Sequence, residues 1–117
     1  MYQVEYTALF KRNLKKLAKK YPRINRDLSN LLDQLENGEF NGDELQGFVG
    51  SVYKIRVGSI DQKKGKRGGF RIIYIIVTDI ETVHLLTIYA KAQQEDLSHQ
   101  QKQDLKLLIE ELKKNNN

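Results

Sequence analysis

From Val52 to Lys91 the chain reads VYKIRVGSIDQKKGKRGGFRIIYIIVTDIETVHLLTIYAK, and this stretch decides the fold. Three runs within it, Val52–Val57, Phe70–Val77 and Val83–Lys91, are rich in β-branched and aromatic residues and read as strands. Thr78–Thr82, between the last two, is short enough for an antiparallel hairpin. In the first run, alternation sends Lys54 and Arg56 to one face and Tyr53, Ile55 and Val57 to the other. Arg71 sits in the second run. Between Tyr53 and Tyr74 the chain carries seven Lys and Arg residues around a single acid, Asp61, so a cationic face on a rigid platform is expected.

Working outward, Tyr2 to Tyr6 alternates as a short strand. Thr7 is then placed to cap a helix whose apolar positions are Phe10, Leu14, Leu17 and Ala18, with Lys11, Arg12, Lys15, Lys16 and Lys19 on its outer face. Such a basic stripe on an amphipathic helix reads first as a solvated surface. Pro22 suits the first turn of a second helix, in which Ile24, Leu28, Leu31, Leu32 and Leu35 recur at three- and four-residue spacing before Asn37 and Gly38 end it. Gly38 to Gly50 holds four glycines and reads as a loop. Ser98 and Gln101 have capping-box spacing ahead of a last helix carrying Leu105, Leu108, Ile109 and Leu112 on one side.

The order is strand, two helices, three strands, helix, within one domain spanning 1–117. It predicts an α+β fold: a small, mainly antiparallel sheet with an N-terminal helical hairpin and a C-terminal helix packed on one face. The other face is expected to stand open. An open face lined with Lys, Arg and Tyr is a usable RNA platform, since cations hold the backbone and aromatics stack on splayed bases.

Composition narrows the functional classes. The 117 residues carry a formal charge of +5, which favours a polyanionic partner through counterion release. Cysteine is absent, which removes disulfides, thiol catalysis and thiolate zinc sites. No apolar run approaches the roughly 20 residues of a membrane helix, and MYQVEYTALFKRN lacks the apolar core of a signal peptide. The expected address is the cytoplasm, with no membrane partner.

Few residues offer chemistry. His84 falls in the middle of an apolar strand and reads as a core or edge histidine, while His99 falls in the first turn of the last helix and reads as a surface residue; they form no evident pair for acid–base work. Glu36, Glu39, Asp43 and Glu44 cluster near the glycine-rich loop without a metal-ligand pattern. What remains is the set of cations and tyrosines. The segment KKGKRGG, with Lys63, Lys64, Lys66 and Arg67 broken by glycines, can bring Lys side chains and backbone amides to a phosphate, but it lacks the pattern of a nucleotide-binding P-loop.

The blocks VYKIRV, GKRGGFRIIY and LLTIYAK resemble, in order and spacing, the RelE superfamily of bacterial toxins, most closely its HigB-like branch. The helical hairpin before them and the helix after them match in order as well. The resemblance implies the toxin of a type II toxin–antitoxin system, a metal-independent endoribonuclease that cuts messenger RNA in the ribosomal A site through the RNA's own 2′-hydroxyl. No cofactor is implied. By position, Lys54 and Arg56 match the paired basic residues of the family's strand, Arg71 the arginine that stabilises the scissile phosphate, and Lys91 a further motif lysine. Lys63, Lys64, Lys66, Arg67, Tyr74 and Tyr89 are the implied RNA contacts.

The chain also departs from the best-known pattern. Where that pattern has an arginine after the lysine and a tyrosine a few residues on, this chain has Ala92 and roughly Ser98, so Tyr89 or Tyr74 is left as the substitute acid. The implied partner besides ribosome and message is a helix-turn-helix antitoxin, through which the complex would bind operator DNA. Two competing functions carry different assays: a ParE-like inhibitor of DNA gyrase on the same scaffold, and an RNA-binding module with no reaction.

Overall fold

The computed structural model describes residues 1–63 and 68–115. Its centre is β4 (Phe70–Val77), flanked by β3 (Ser51–Val57) and β5 (Thr82–Ala90), with β1 (Gln3–Tyr6) and β2 (Asp43–Glu44) at the edges. The order across the five-stranded sheet is β1-β5-β4-β3-β2, and every pairing is antiparallel except β1 with β5. The expected β4–β5 hairpin is present, turned by one short 3-10 segment, Thr78–Ile80, with Glu81 in the left-handed region at φ 46°. This is the α+β architecture that the sequence predicted.

One side of the sheet is covered by α1 (Ala8–Lys20) and α2 (Ile24–Glu36). Phe10 and Leu17 of the first helix, with Ile24, Leu28, Leu31 and Leu35 of the second, pack on Val57, Phe70, Ile72, Tyr74, Val83, Leu85 and Ile88. The helices form where the apolar stripes at helical spacing demanded them. Thr7 caps α1 as expected, its Oγ1 accepting from the Phe10 amide at 3.1 Å. Pro22 lies in the turn before α2 rather than inside its first turn, and Gly38 follows Asn37 with φ +78°.

The prediction of all three helices on one face fails for α3 (His99–Asn115), which packs on the opposite side. Its Leu105 and Ile109 join Val52, Ile73, Ile75, Leu86, Tyr89 and Leu97 in a second core. The reason lies in FRIIYIIV: β4 is apolar at both parities, as a strand buried on both faces must be, and Ile73 and Ile75 need a cover. Ser98 and Gln101 start that helix with the full capping box, Ser98 N–H donating to Gln101 Oε1 at 2.9 Å and Gln101 N–H to Ser98 Oγ at 3.1 Å.

Two features went unread in the sequence. A short edge strand, β2, interrupts the expected Gly38–Gly50 loop and pairs Asp43 with Lys54 and Glu44 with Tyr53. It is made possible by Gly42, at φ +108°, where a Cβ would lie 2.4 Å from the Lys54 carbonyl oxygen. The second is a bulge in β5. Ile73 pairs with Thr87 but Tyr74 with Leu85, so Leu86 is one residue extra and the strand's facing shifts past it. Val83 and Leu85 before the bulge, and Ile88 and Ala90 after it, all face α1 and α2, while Leu86 and Tyr89 face the other way. Thr7 clasps this point, its hydroxyl lying 2.8 Å from the Leu85 carbonyl oxygen and 3.1 Å from that of Leu86.

Candidate active site

Strand register places the candidate side chains before any contact is considered. On the α3 side of the sheet, Val52, Ile75 and His84 form one row across three strands, Lys54, Ile73 and Thr87 a second, and Arg56, Arg71 and Tyr89 a third. The first row is covered by α3; the cations lie beyond its cover, toward the end of the sheet where Lys91 follows β5. Lys91 is fixed there by its backbone N–H, which donates to the Gly69 carbonyl at 3.1 Å. Lys54, Arg56, Arg71, Lys91 and Tyr89 are therefore gathered on one face, and without the bulge at Leu86 Tyr89 would point into the other.

The outer and inner parts of the row differ in their surroundings. Arg56 is exposed, whereas Arg71 and Tyr89 are each only 5% exposed. Burial, followed by the neighbouring Arg56 guanidinium, lowers the pKa of Arg71, yet a guanidinium so placed stays charged. Burial raises the Tyr89 phenol to about 12, with the nearby Asp96 carboxylate adding to the effect. Its hydroxyl is buried and makes no hydrogen bond of ordinary geometry among the described residues. It is a protonated phenol at neutral pH, set beside a fixed cation.

Two acids that sequence reasoning missed complete the electrostatics. The segment after β5 folds back so that Glu95 Oε1 lies 2.7 Å from Lys91 Nζ and Asp96 Oδ1 lies 3.6 Å from Lys54 Nζ. The Leu97 N–H donates to Asp96 Oδ1 at 2.8 Å, and this bond is the main cause of the lowered Asp96 pKa. Glu95 is lowered chiefly by its hydrogen bond to Lys91, with Arg71 contributing. Both are ionised carboxylates threaded among cations. The four-residue spacing of Lys91 and Glu95 was a visible hint; nothing local announced that Asp96 would reach Lys54 on another strand.

Other expectations part from this geometry. Tyr74, expected to contact RNA or serve as acid, is fully buried on the opposite side of the sheet, stacked on Tyr53 with ring centroids 5.6 Å apart and donating to the Asn41 carbonyl at 2.6 Å. The parity of β4 forces this, since Arg71 and Tyr74 are three residues apart and point to opposite faces. The expected open face is only partly open, because α3 covers its first row. Lys63 is exposed in the turn after β3 at φ 56°, and among the described residues no hydrogen bond or ion pair joins it to the row. Lys64, Lys66 and Arg67 lie outside the described residues.

The histidines stand apart from the row. His84 sits beneath the far end of α3 near Leu108 and Leu112, with its pKa lowered by burial. His99 is exposed at the start of α3. Among the described residues no group of three or more His, Asp or Glu is placed to hold a metal ion. No described helix is long and apolar enough to cross a membrane. What the row offers chemically is two guanidiniums and two ammoniums able to hold a phosphate, a phenol able to give a proton, and carboxylates able to receive one.

Comparison with known proteins agrees with the fold. A family model described as the RelE toxin of the RelE / RelB toxin–antitoxin system matches residues 7–117. Among solved structures, a metal-bound toxin from Helicobacter pylori is similar at 16% identity with a TM-score of 0.59, covering 80% of this chain and 98% of that one. The isolated E. coli RelE toxin is similar at 18% identity and a TM-score of 0.54, over 92% of this chain and 99% of its own. The intact E. coli RelBE toxin–antitoxin complex gives 17% identity and a TM-score of 0.52, over 75% of this chain and 94% of the matched one.

Proposed function

The chain belongs to the RelE toxin family, matched over residues 7–117, and from that premise we propose that it cuts messenger RNA on the ribosome, as the toxin partner of a cognate antitoxin. The observation that carries this reading is the row Arg56, Arg71 and Tyr89 set across three adjacent strands beside Lys54. It concentrates positive charge on one face of the sheet, with a phenol at one end of the row.

In the reaction, the 2′-hydroxyl attacks the adjacent phosphorus as the bond to the 5′-oxygen breaks, giving a cyclic phosphate and a free 5′-hydroxyl. The 2′-hydroxyl proton passes to the Asp96 carboxylate, which lies 3.6 Å from Lys54 Nζ. Negative charge grows on the non-bridging oxygens, where Arg56 and Arg71 meet it; Arg71 is held by packing, so little reorganisation accompanies the transition state. The leaving 5′-oxygen takes the Tyr89 proton, which requires the docked message to uncover that buried hydroxyl. Because the phenol is raised to about 12, it is present in the protonated form at neutral pH, which fills the role left vacant at Ala92 and Ser98. So sparse a site depends on substrate positioned from outside, and positioning of reacting groups is worth orders of magnitude in rate. Cleavage is therefore confined to message held by the ribosome.

The test is to incubate the protein with translating ribosomes and map message 5′ ends. Arg71→Ala lowers the cleavage rate by about 100- to 1,000-fold, the size seen when a transition-state donor is removed. Message left intact at micromolar protein would sink the proposal. Inhibited DNA supercoiling in its place would point to the gyrase reading.

A further inference from the structure

Tyr89 has a second side. Behind it, between α1, β5 and the segment that follows β5, runs a cleft lined by Asn13, Lys16, Thr87, Gln93 and Gln94, with Leu17 and Ile88 behind them. Its chemistry differs from that of the cationic row. Apart from Lys16 the polar lining is neutral, made of amides and a hydroxyl, each offering both a donor and an acceptor. Phosphate calls for cations, whereas the edges of nucleobases present mixed donors and acceptors, and protein amides match them in pairs.

The lining is also held in place. Asn13 Nδ2 donates to Thr87 Oγ1 at 2.9 Å, leaving the Asn13 carbonyl oxygen and the Thr87 O–H for a ligand. Gln94 Nε2 donates to Gln101 Oε1 at 2.9 Å and to the Asp96 carbonyl at 2.9 Å. These bonds tie the wall of the cleft to the capping box of α3 and to the segment that carries Asp96. Gln93 is exposed at the rim, with no side-chain hydrogen bond among the described residues. Lys16 and Arg12 are exposed on the outer face of α1 just above, and neither forms an ion pair among the described residues.

We infer that this cleft is a base-reading pocket, which takes the nucleobase next to the cleaved bond while Lys16 holds the phosphate beyond it. The inference rests on the proposed RNA cleavage. Tyr89 forms the wall between the two sites, so a nucleotide whose phosphate lies on Arg56 and Arg71 has its neighbour's base at the mouth of the cleft. Asn13, Thr87 and Gln93 are then the residues that set sequence preference, and the basic stripe of α1 is the track for the outgoing strand rather than a merely solvated surface.

The experiment uses ribosome-bound messages that differ in one base at each position around the cleaved bond, with wild type, Asn13→Ala and Gln93→Ala. Wild type is expected to prefer one base at one adjacent position by about tenfold or more, the discrimination that a paired amide contact provides. Each variant reduces that preference to less than about threefold, chiefly by slowing cleavage at the favoured base. Wild-type cleavage with no base preference, or variants that keep the wild-type preference, would overturn the inference. If wild type cuts no message, the proposed reaction fails, and the cleft is decided separately by titrating the four 5′-mononucleotides into labelled protein. Side-chain amide signals of Asn13 and Gln93 that move for one base above the others support the pocket; signals that move equally or not at all overturn it.

Discussion

Replacing Thr7 with valine removes one oxygen and keeps the side chain's shape, and the consequences can be worked out bond by bond. The Phe10 amide loses its acceptor at 3.1 Å, and loss of a helix N-cap costs about 1 kcal/mol. On the other side, the hydroxyl lies 2.8 and 3.1 Å from the Leu85 and Leu86 carbonyls. Leu85 keeps the Thr7 backbone N–H at 3.2 Å, so one buried bond is lost, worth about 0.5–1.5 kcal/mol, and a methyl group is pressed on carbonyl oxygens in its place. The sum is about 1.5–2.5 kcal/mol. For a chain of this size that lowers Tm by roughly 6–10 °C. Equilibrium urea unfolding gives the measurement, and the midpoint should fall with no change in slope. Thr7→Ser, which keeps both roles of the hydroxyl, should stay within about 1 kcal/mol of wild type. A valine variant within about 0.5 kcal/mol of wild type would refute the view that this hydroxyl joins the start of α1 to the β5 bulge.

Further tests separate core from site and reach the other strained and titrating positions. Tyr74→Phe removes the hydroxyl that donates to Asn41, so stability should fall by about 1–2 kcal/mol while message cleavage per folded molecule is unchanged; a loss of cleavage rate would put Tyr74 back in the site. Gly42→Ala brings a Cβ to 2.4 Å from the Lys54 carbonyl oxygen at φ +108° and should cost more than about 2 kcal/mol, whereas Gly47→Ala, at φ +85° with nothing within 4 Å, should cost about 1 kcal/mol from backbone strain alone. Similar losses at the two glycines would contradict the packing of β2 on β3. His84 has its pKa depressed by burial, so the unfolded chain binds the proton more readily. Its contribution is complete above the ordinary imidazole value of 6.5 and declines as pH falls through the lower folded value. Urea midpoints measured from pH 7 to pH 5 should fall less steeply in His84→Gln, and parallel curves would exclude His84 as the cause.

The legible parts of this molecule were those written in local periodicity. Three strands, two amphipathic helices, the Thr7 cap and the Ser98–Gln101 box all follow from spacing within a few residues, and alternation alone placed Lys54 and Arg56 together. What escaped the sequence depends on distant partners. The side taken by α3 was set by β4 having Ile73 and Ile75 to cover, although its doubly apolar run was there to be read. The Leu86 bulge has no signature in TVHLLTIYA, because an extra residue becomes visible only against the register of the neighbouring strand. Tyr74 was misplaced through not carrying the parity of Arg71 three residues further. Asp96 was missed because its partner, Lys54, comes from β3, separated from β5 by the whole width of β4.

The clasp between Thr7 and β5 also bears on how the molecule comes into being. Thr7 and Leu85 are 78 residues apart in sequence, and the parallel pairing of β1 with β5 spans a similar length. Contacts this remote close late, since loop-closure entropy must be met before they stabilise anything. The β4–β5 hairpin and the helices can form from local contacts as the chain is made. The turn of Tyr89 toward Arg71 needs the whole of β5, and Thr7 is seated on the bulge that makes it. The placement of Tyr89 beside Arg71 is thus a property of the completed domain, joined from its two ends, and no fragment that stops short of β5 carries it.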